Sequence, residues 1–235
     1  MSAKKFLALI FVIAFSVPSM ASDIEIWQEP GLDFGGLKKI FVMPPDFTLR
    51  AGSQIMPQKQ LRADFFGWTN EGIRAAFGKR SKLLVKDVSS VVEDMKFIHG
   101  DNVSPTGREF FKWANEMGYT AFITAEITQE FVTEHVPETT RTYTEYRTIE
   151  KRDHRGRIIE TITIPEEKTE IIPAHDVTYL QTRSEPRLYR TNDPNGDYIA
   201  AVNYRIYREY QGGPVMKVVE NITIASMKCL FAGKK

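Results

Sequence analysis

From Thr139 to Ile172 the chain is built largely of strand-forming residues, yet neither strand it can make has a dry side. Thr139–Lys151 (TTRTYTEYRTIEK) and Arg157–Ile164 (RIIETITI) are rich in Thr, Tyr and Ile, which favour extended backbone. Between them, Arg152-Asp153-His154-Arg155-Gly156 carries turn chemistry: an Asp that can bond its own backbone and a Gly that accepts positive φ. The pattern predicts a long β-hairpin that continues to Ile171-Ile172, where Pro173 interrupts it. Alternation puts Tyr143 and Ile149 on one face with Arg141, Glu145 and Arg147, and Ile158, Ile162 and Ile164 on one face with Glu160. A ribbon mixed in this way cannot be a core element on both strands. It is expected to project or to lie along a surface.

The flanking sequence reads differently. Lys38–Met43 is a compact apolar strand stopped by Pro44-Pro45. Gln58–Lys79 repeats Leu61, Phe65, Trp68, Gly72/Ile73 and Phe77 at helical spacing. Lys82–Val88 reads as a short strand and Val91–Ile98 as a helical turn or two. A helix capped by Thr106 runs to Met117, and Tyr119–Phe131 follows as a strand. Strand–helix–strand–helix–strand at these lengths implies parallel pairing with right-handed crossovers. Asp176–Thr182, Pro186–Thr191 and Tyr198–Tyr210 read as later strands. Pro214 opens a closing helix through Ile222 and Leu230, with a strand as the alternative across Ile222-Thr223-Ile224. The expected class is α+β: a mixed sheet with helices on one face, late antiparallel strands, a C-terminal helix and a hairpin inserted at about 139–172. Asp64–Glu71 (DFFGWTNE) echoes Glu109–Glu116 (EFFKWANE). The reading favoured for this echo is that two helices covering one sheet face need similar aromatic stripes.

Residues 1–21 have the order of a secretory signal: Lys4-Lys5, an apolar run from Phe6 to Phe15, then Pro18 with small residues at Ser19 and Ala21. An exported chain beginning near Ser22 is expected, periplasmic or extracellular, as one α+β domain over 22–235. The single cysteine, Cys229, lies far from that cleavage point, so no acyl anchor and no internal disulfide is expected. No transmembrane segment is expected after signal removal. The whole chain has 31 basic and 30 acidic side chains, and loss of Lys4 and Lys5 leaves it one acid in excess. A balance so close to neutral offers little field for nucleic acid, and no nucleic-acid partner is expected.

Lys38–Pro44, then Trp113–Ile127, with a helix giving way through Gly118 to a strand of alternating small residues, and then Leu188–Thr191 with the Asn195-Gly196 turn, together resemble bacterial envelope domains typified by the TolB amino-terminal domain and the curli-secretion lipoprotein CsgG. The resemblance covers about 36–132 and 176–231. It implies a non-catalytic adaptor or assembly domain and maps no catalytic residue onto this chain. The hairpin, the missing lipid-modified cysteine and the absence of a following propeller depart from that group.

The chemistry-bearing residues do not assemble into motifs. His99, His135, His154 and His175 are widely spaced, with no His-x-x-x-His pair, so no metal ligand set is expected. His175 and Asp176 are neighbours in a strand and point to opposite faces, which is no dyad. Thr191–Val202 lacks the acids of a calcium loop, and Gly35-Gly36-Leu37-Lys38-Lys39 lacks phosphate-loop spacing. Cys229 sits in an apolar stretch with no nearby His. No catalytic, cofactor or metal residue is expected. The expected partner is another envelope protein or a second copy of the chain, held through Tyr143, Tyr146, Ile149, Arg155, Ile158 and Ile162. Two alternatives stand beside it: a carboxylate hydrolase of wall or glycan material, which needs two acids converging in a cleft, and a glycan or small-ligand binder using the Tyr/Arg face around Tyr204 and Tyr207.

Overall fold

A computed structural model describes residues 21–50, 58–78 and 82–232; the leader expected at 1–21 lies outside them except for its last position. In chain order the elements are β1 (Ala21–Gln28), a 3-10 turn (Phe34–Gly36), β2 (Lys39–Val42), β3 (Asp46–Leu49), α1 (Gln58–Phe77), β4 (Leu84–Asp87), α2 (Val88–His99), α3 (Arg108–Glu116), β5 (Ala121–Val136), β6 (Thr139–Arg152), β7 (Ile158–Ile172), β8 (His175–Arg190), β9 (Ala200–Glu209) and α4 (Val215–Ala232). They form a mixed α+β protein: a 7-stranded sheet ordered β1-β9-β8-β5-β2-β4, with β3 joined to β5, and a separate 2-stranded sheet of β6 and β7. The described residues form two compact units, Val132–Tyr179 and the rest of them.

In the larger unit, β2 lies between β4 and β5 and runs parallel to both. That order decides where the helices go. The chain steps from β2 outward to β4, then back past β2 to β5. Right-handed crossovers in opposite directions must leave from opposite faces. Consecutive residues of β2 show the division: Ile40 and Val42 join Phe65 and Ile73 of α1 and Val219, Met227 and Leu230 of α4, whereas Phe41 joins Val91 and Met95 of α2 and Phe110 and Ala114 of α3. The helices therefore cover both faces, not one as the sequence led us to expect; periodicity locates an apolar stripe but carries no information on strand order. The aromatic echo is corrected with it. Phe65 and Phe110 occupy equivalent positions and are both buried, but on opposite sides of the sheet.

Local signals mostly hold. Asp87 caps α2, its side chain accepting from the Ser89 amide at 2.8 Å. The cap of α3 is Gly107 rather than Thr106, with no side-chain cap bond; the Thr106 hydroxyl instead lies 3.0 Å from that of Ser104. Residues 215–232 are helical, resolving the alternative at Ile222–Ile224. The β-branched residues there are tolerated because Ile222 and Thr223 are fully buried, and the Thr223 hydroxyl bonds back to the Val219 carbonyl at 2.7 Å. The stretches read as separate strands around Thr182 and Leu188 form one strand, β8, whose Leu180, Thr182, Ser184, Pro186 and Leu188 alternate into the protein. The α4 face of this strand is partly polar: Ser184 meets Ser226 at 2.9 Å, and the Gln129 amide donates to Thr182 and to the Val215 carbonyl, both at 3.1 Å.

Candidate functional site: the β6–β7 hairpin

In the smaller unit, β6 and β7 pair antiparallel over their whole length, from Thr139 opposite Ile172 to Arg152 opposite Ile158. Their boundaries match the sequence reading to within a residue or so, because turn chemistry and register are local. Asp153 Oδ1 accepts from the amides of Arg155 and Arg157 at 2.8 and 2.9 Å, and Gly156 adopts φ 76°. The Arg152 guanidinium donates to the Gly156 carbonyl and to Glu150, at 3.1 and 2.6 Å. At the open end Thr133 faces Thr178, and His135 Nδ1 lies 2.8 Å from Asp176 Oδ1. Asp176 thus pairs across the strands with His135, not with its chain neighbour His175. Pro137 and Pro173 interrupt the two strands at nearly the same level.

Every residue of β6 is exposed, and every residue of β7 but Ile172. Two strands alone are marginal in water, because neither face is covered. One face carries Tyr143 opposite Lys168, Glu145 opposite Glu166, Arg147 opposite Ile164, Ile149 opposite Ile162 and Lys151 opposite Glu160. Glu145 bonds Lys168 diagonally and holds that ammonium above its usual pKa range. Lys151 meets Glu160 at 3.4 Å. The apolar centre of this face is therefore Ile149, Ile162 and Ile164, bracketed by ion pairs. The other face carries Tyr146 opposite Pro165, with Thr142, Thr144, Thr148, Thr163 and Thr169 around it.

The six expected contact residues do not form one surface. Tyr143, Ile149 and Ile162 share a face; Tyr146 lies on the other; Arg155 belongs to the turn. Ile158 stands opposite Arg152 beyond a register shift and does not continue the Ile149–Ile162 row. The residue passed over is Pro165. A proline inside a strand pattern belongs on an edge strand with its nitrogen facing out, so its position was a usable signal.

The larger unit has a cavity of about 520 Å³ lined by Glu29, Asp33, Asn115 and Arg190. Both acids are already engaged. Glu29 pairs with Arg190 at 2.6 Å, and Asp33 Oδ1 accepts from the Gly35 amide at 2.8 Å. Tyr204 packs against the α1/α4 side of the sheet, while Tyr207, at odd spacing on the same strand, faces the other side, so the two make no common stacking platform. Cys229 is half-buried, and burial raises its thiol pKa. Among the described residues there is no group of three or more His, Cys, Asp or Glu placed to hold a metal, and no helix long and apolar enough to cross a membrane.

No protein-family model matches the chain, and no curated protein matches it. Among solved structures it is similar to dodecameric PelC from Paraburkholderia phytofirmans, at 10% identity over 91% of this chain and 100% of that one with a TM-score of 0.42, and in a second crystal form at 8% identity over 90% and 96% with a TM-score of 0.39. It is also similar to lipoprotein GNA1162 from Neisseria meningitidis, at 14% identity over 79% and 92% with a TM-score of 0.33. Both are bacterial proteins and neither bears the name TolB or CsgG; at these scores the likeness carries no statement about site or partner.

Proposed function

We propose that this chain is an exported, non-catalytic envelope protein that binds a partner protein, or a second copy of itself, through the hairpin at 139–172. The observation that carries the reading is the complete exposure of β6 and near-complete exposure of β7. A ribbon this long exposes Tyr143, Tyr146, Ile149, Ile158, Ile162 and Ile164 together, and an unpartnered strand edge is a template for strand addition. Export rests on the order of residues 4–21. Tyr143, Ile149 and Ile162 supply the apolar contact on one face and Tyr146 on the other. Arg155 and the basic turn around it choose partners by charge.

The test is removal of 139–172 from the exported chain. The shortened protein keeps its helical circular dichroism and cooperative melting but loses self-association and capture of envelope proteins. If it still binds everything the full chain binds, the reading fails.

A further inference from the structure

The two outer edges of the hairpin are not equivalent. The Asp153 amide donates to the Arg157 carbonyl at 2.8 Å, which sets the phase of the ladder. In extended backbone, alternate residues turn their N–H and C=O to the same side, so the odd-numbered residues of β6 bond inward to β7. Thr140, Thr142, Thr144, Tyr146, Thr148 and Glu150 present theirs to the open edge. On β7 the outward positions are their partners, which include Pro165 opposite Tyr146 and Thr163 opposite Thr148. The nitrogen of Pro165 therefore falls on the outer edge. It costs the hairpin no internal bond and removes a donor from that edge. β6 has no proline and no glycine in its 14 residues. One edge is closed and the other is open.

We infer that the open β6 edge pairs with β6 of a second copy, antiparallel about a two-fold axis at Tyr146, giving a β7-β6-β6-β7 sheet. This rests on the hairpin reading above and names its partner. The choice of a second copy comes from complementarity of the strand with itself. With Tyr146 against Tyr146, Glu145 meets Arg147 of the second copy, and the symmetry repeats the pair. Tyr143 then meets Ile149, and Thr144 meets Thr148. The even-numbered residues that meet are those whose backbone groups already face outward, so the ladder closes without rotation of any peptide. Shifting the axis by one residue either way sets Glu145 against Glu145 or Arg147 against Arg147, which like-charge repulsion disfavours. The one unfavourable meeting in the chosen register is Arg141 with Lys151.

The decisive variants use the full exported chain in sedimentation equilibrium over a dilution series. Thr148 and Thr163 are cross-strand partners with outward amides, so proline at either position leaves the hairpin ladder equally intact. Thr148→Pro is expected to weaken self-association by roughly tenfold or more, through lost intermolecular ladder bonds; Thr163→Pro is expected to leave it unchanged. Glu145→Arg and Arg147→Glu each weaken it alone, and mixing the two restores it, because each then meets an opposite charge on the other. A monomeric wild-type chain, equal effects of the two prolines, or no rescue on mixing overturns the self-pairing. None of these results removes the hairpin reading, which fails only if deletion of 139–172 leaves all association intact.

Discussion

Ile149 stands directly across from Ile162, and each keeps 42% of its surface exposed. A cross-strand aliphatic pair normally gains by being covered. Here Lys151–Glu160 lies on one side of it and the Glu145–Lys168 contact further along the other, which leaves a small apolar centre with a charged border. Replacing both isoleucines by threonine keeps β-propensity and removes apolar surface that the folded chain leaves in water. The melting temperature of the larger unit should stay within a degree or two, since an exposed substitution costs about 0.5 kcal/mol or less, while binding through the hairpin should weaken measurably in a pull-down or sedimentation assay.

In the larger unit the costliest single side chain to remove should be Phe41. It is fully buried, stacks on Phe122 at 5.5 Å with planes 12° apart, and meets Phe110 and Tyr119 edge-on at 5.6 Å. Phe41→Ala is expected to cost about 3–5 kcal/mol in chemical denaturation, from lost burial plus the cavity left behind.

Gly72 is where α1 approaches α4. A Cβ there would stand 2.6 Å from the Ile224 carbonyl oxygen and 2.6 Å from the Met227 Cβ. Gly72→Ala improves helix propensity but forces the two helices apart. Overpacking should win, with a net loss of about 1–3 kcal/mol, whereas Gly67→Ala, which has open space around it, should stabilise by up to about 1 kcal/mol. Urea denaturation of the two variants side by side checks the contrast.

Tyr119 is fully buried and its hydroxyl has no hydrogen-bond partner among the described residues. Burial raises its pKa above the ordinary 10.0, against the pull of Lys86. The unfolded phenol ionises first, so the stability linked to this group is whole below pH 10.0 and declines as pH rises toward the folded pKa. Tyr119→Phe removes both the unpaired hydroxyl and this titration. It should be neutral or stabilising by about 1 kcal/mol near pH 7, with a larger advantage in alkaline denaturation. A variant less stable than wild type at every pH would show that the hydroxyl is satisfied after all.

The parts of the fold that could be read from the sequence are those written in local code. The Asp153–Gly156 turn, the strand lengths of β6 and β7, the stripe of α1 through Leu61, Phe65 and Ile73, and the Gly118 break before β5 each need only a few neighbouring residues. β1 was missed because Asp23, Ile24, Glu25 and Ile26 form an edge strand whose partner, β9, lies about 180 residues away, a separation local patterning cannot see. β3 was missed because four residues after Pro44-Pro45 carry too short a pattern, and their pairing with β5 is non-local. The division of helices between two faces followed from strand order alone. In the hairpin, the exposed residues were legible, but their sorting was not. The register shift that takes Ile158 out of line emerges only once the two strands are placed in register, whereas the outward phase of Pro165 was open to reading from the proline itself.

The most direct test of the hairpin as a covered element is hydrogen exchange of the full exported chain, followed peptide by peptide from dilute to concentrated protein. Amides in 139–152 are expected to gain protection as the chain associates, with smaller change in 158–172 and none of comparable size in the larger unit. Association accompanied by protection of the larger unit alone, with 139–172 exchanging at its dilute rate throughout, would contradict it.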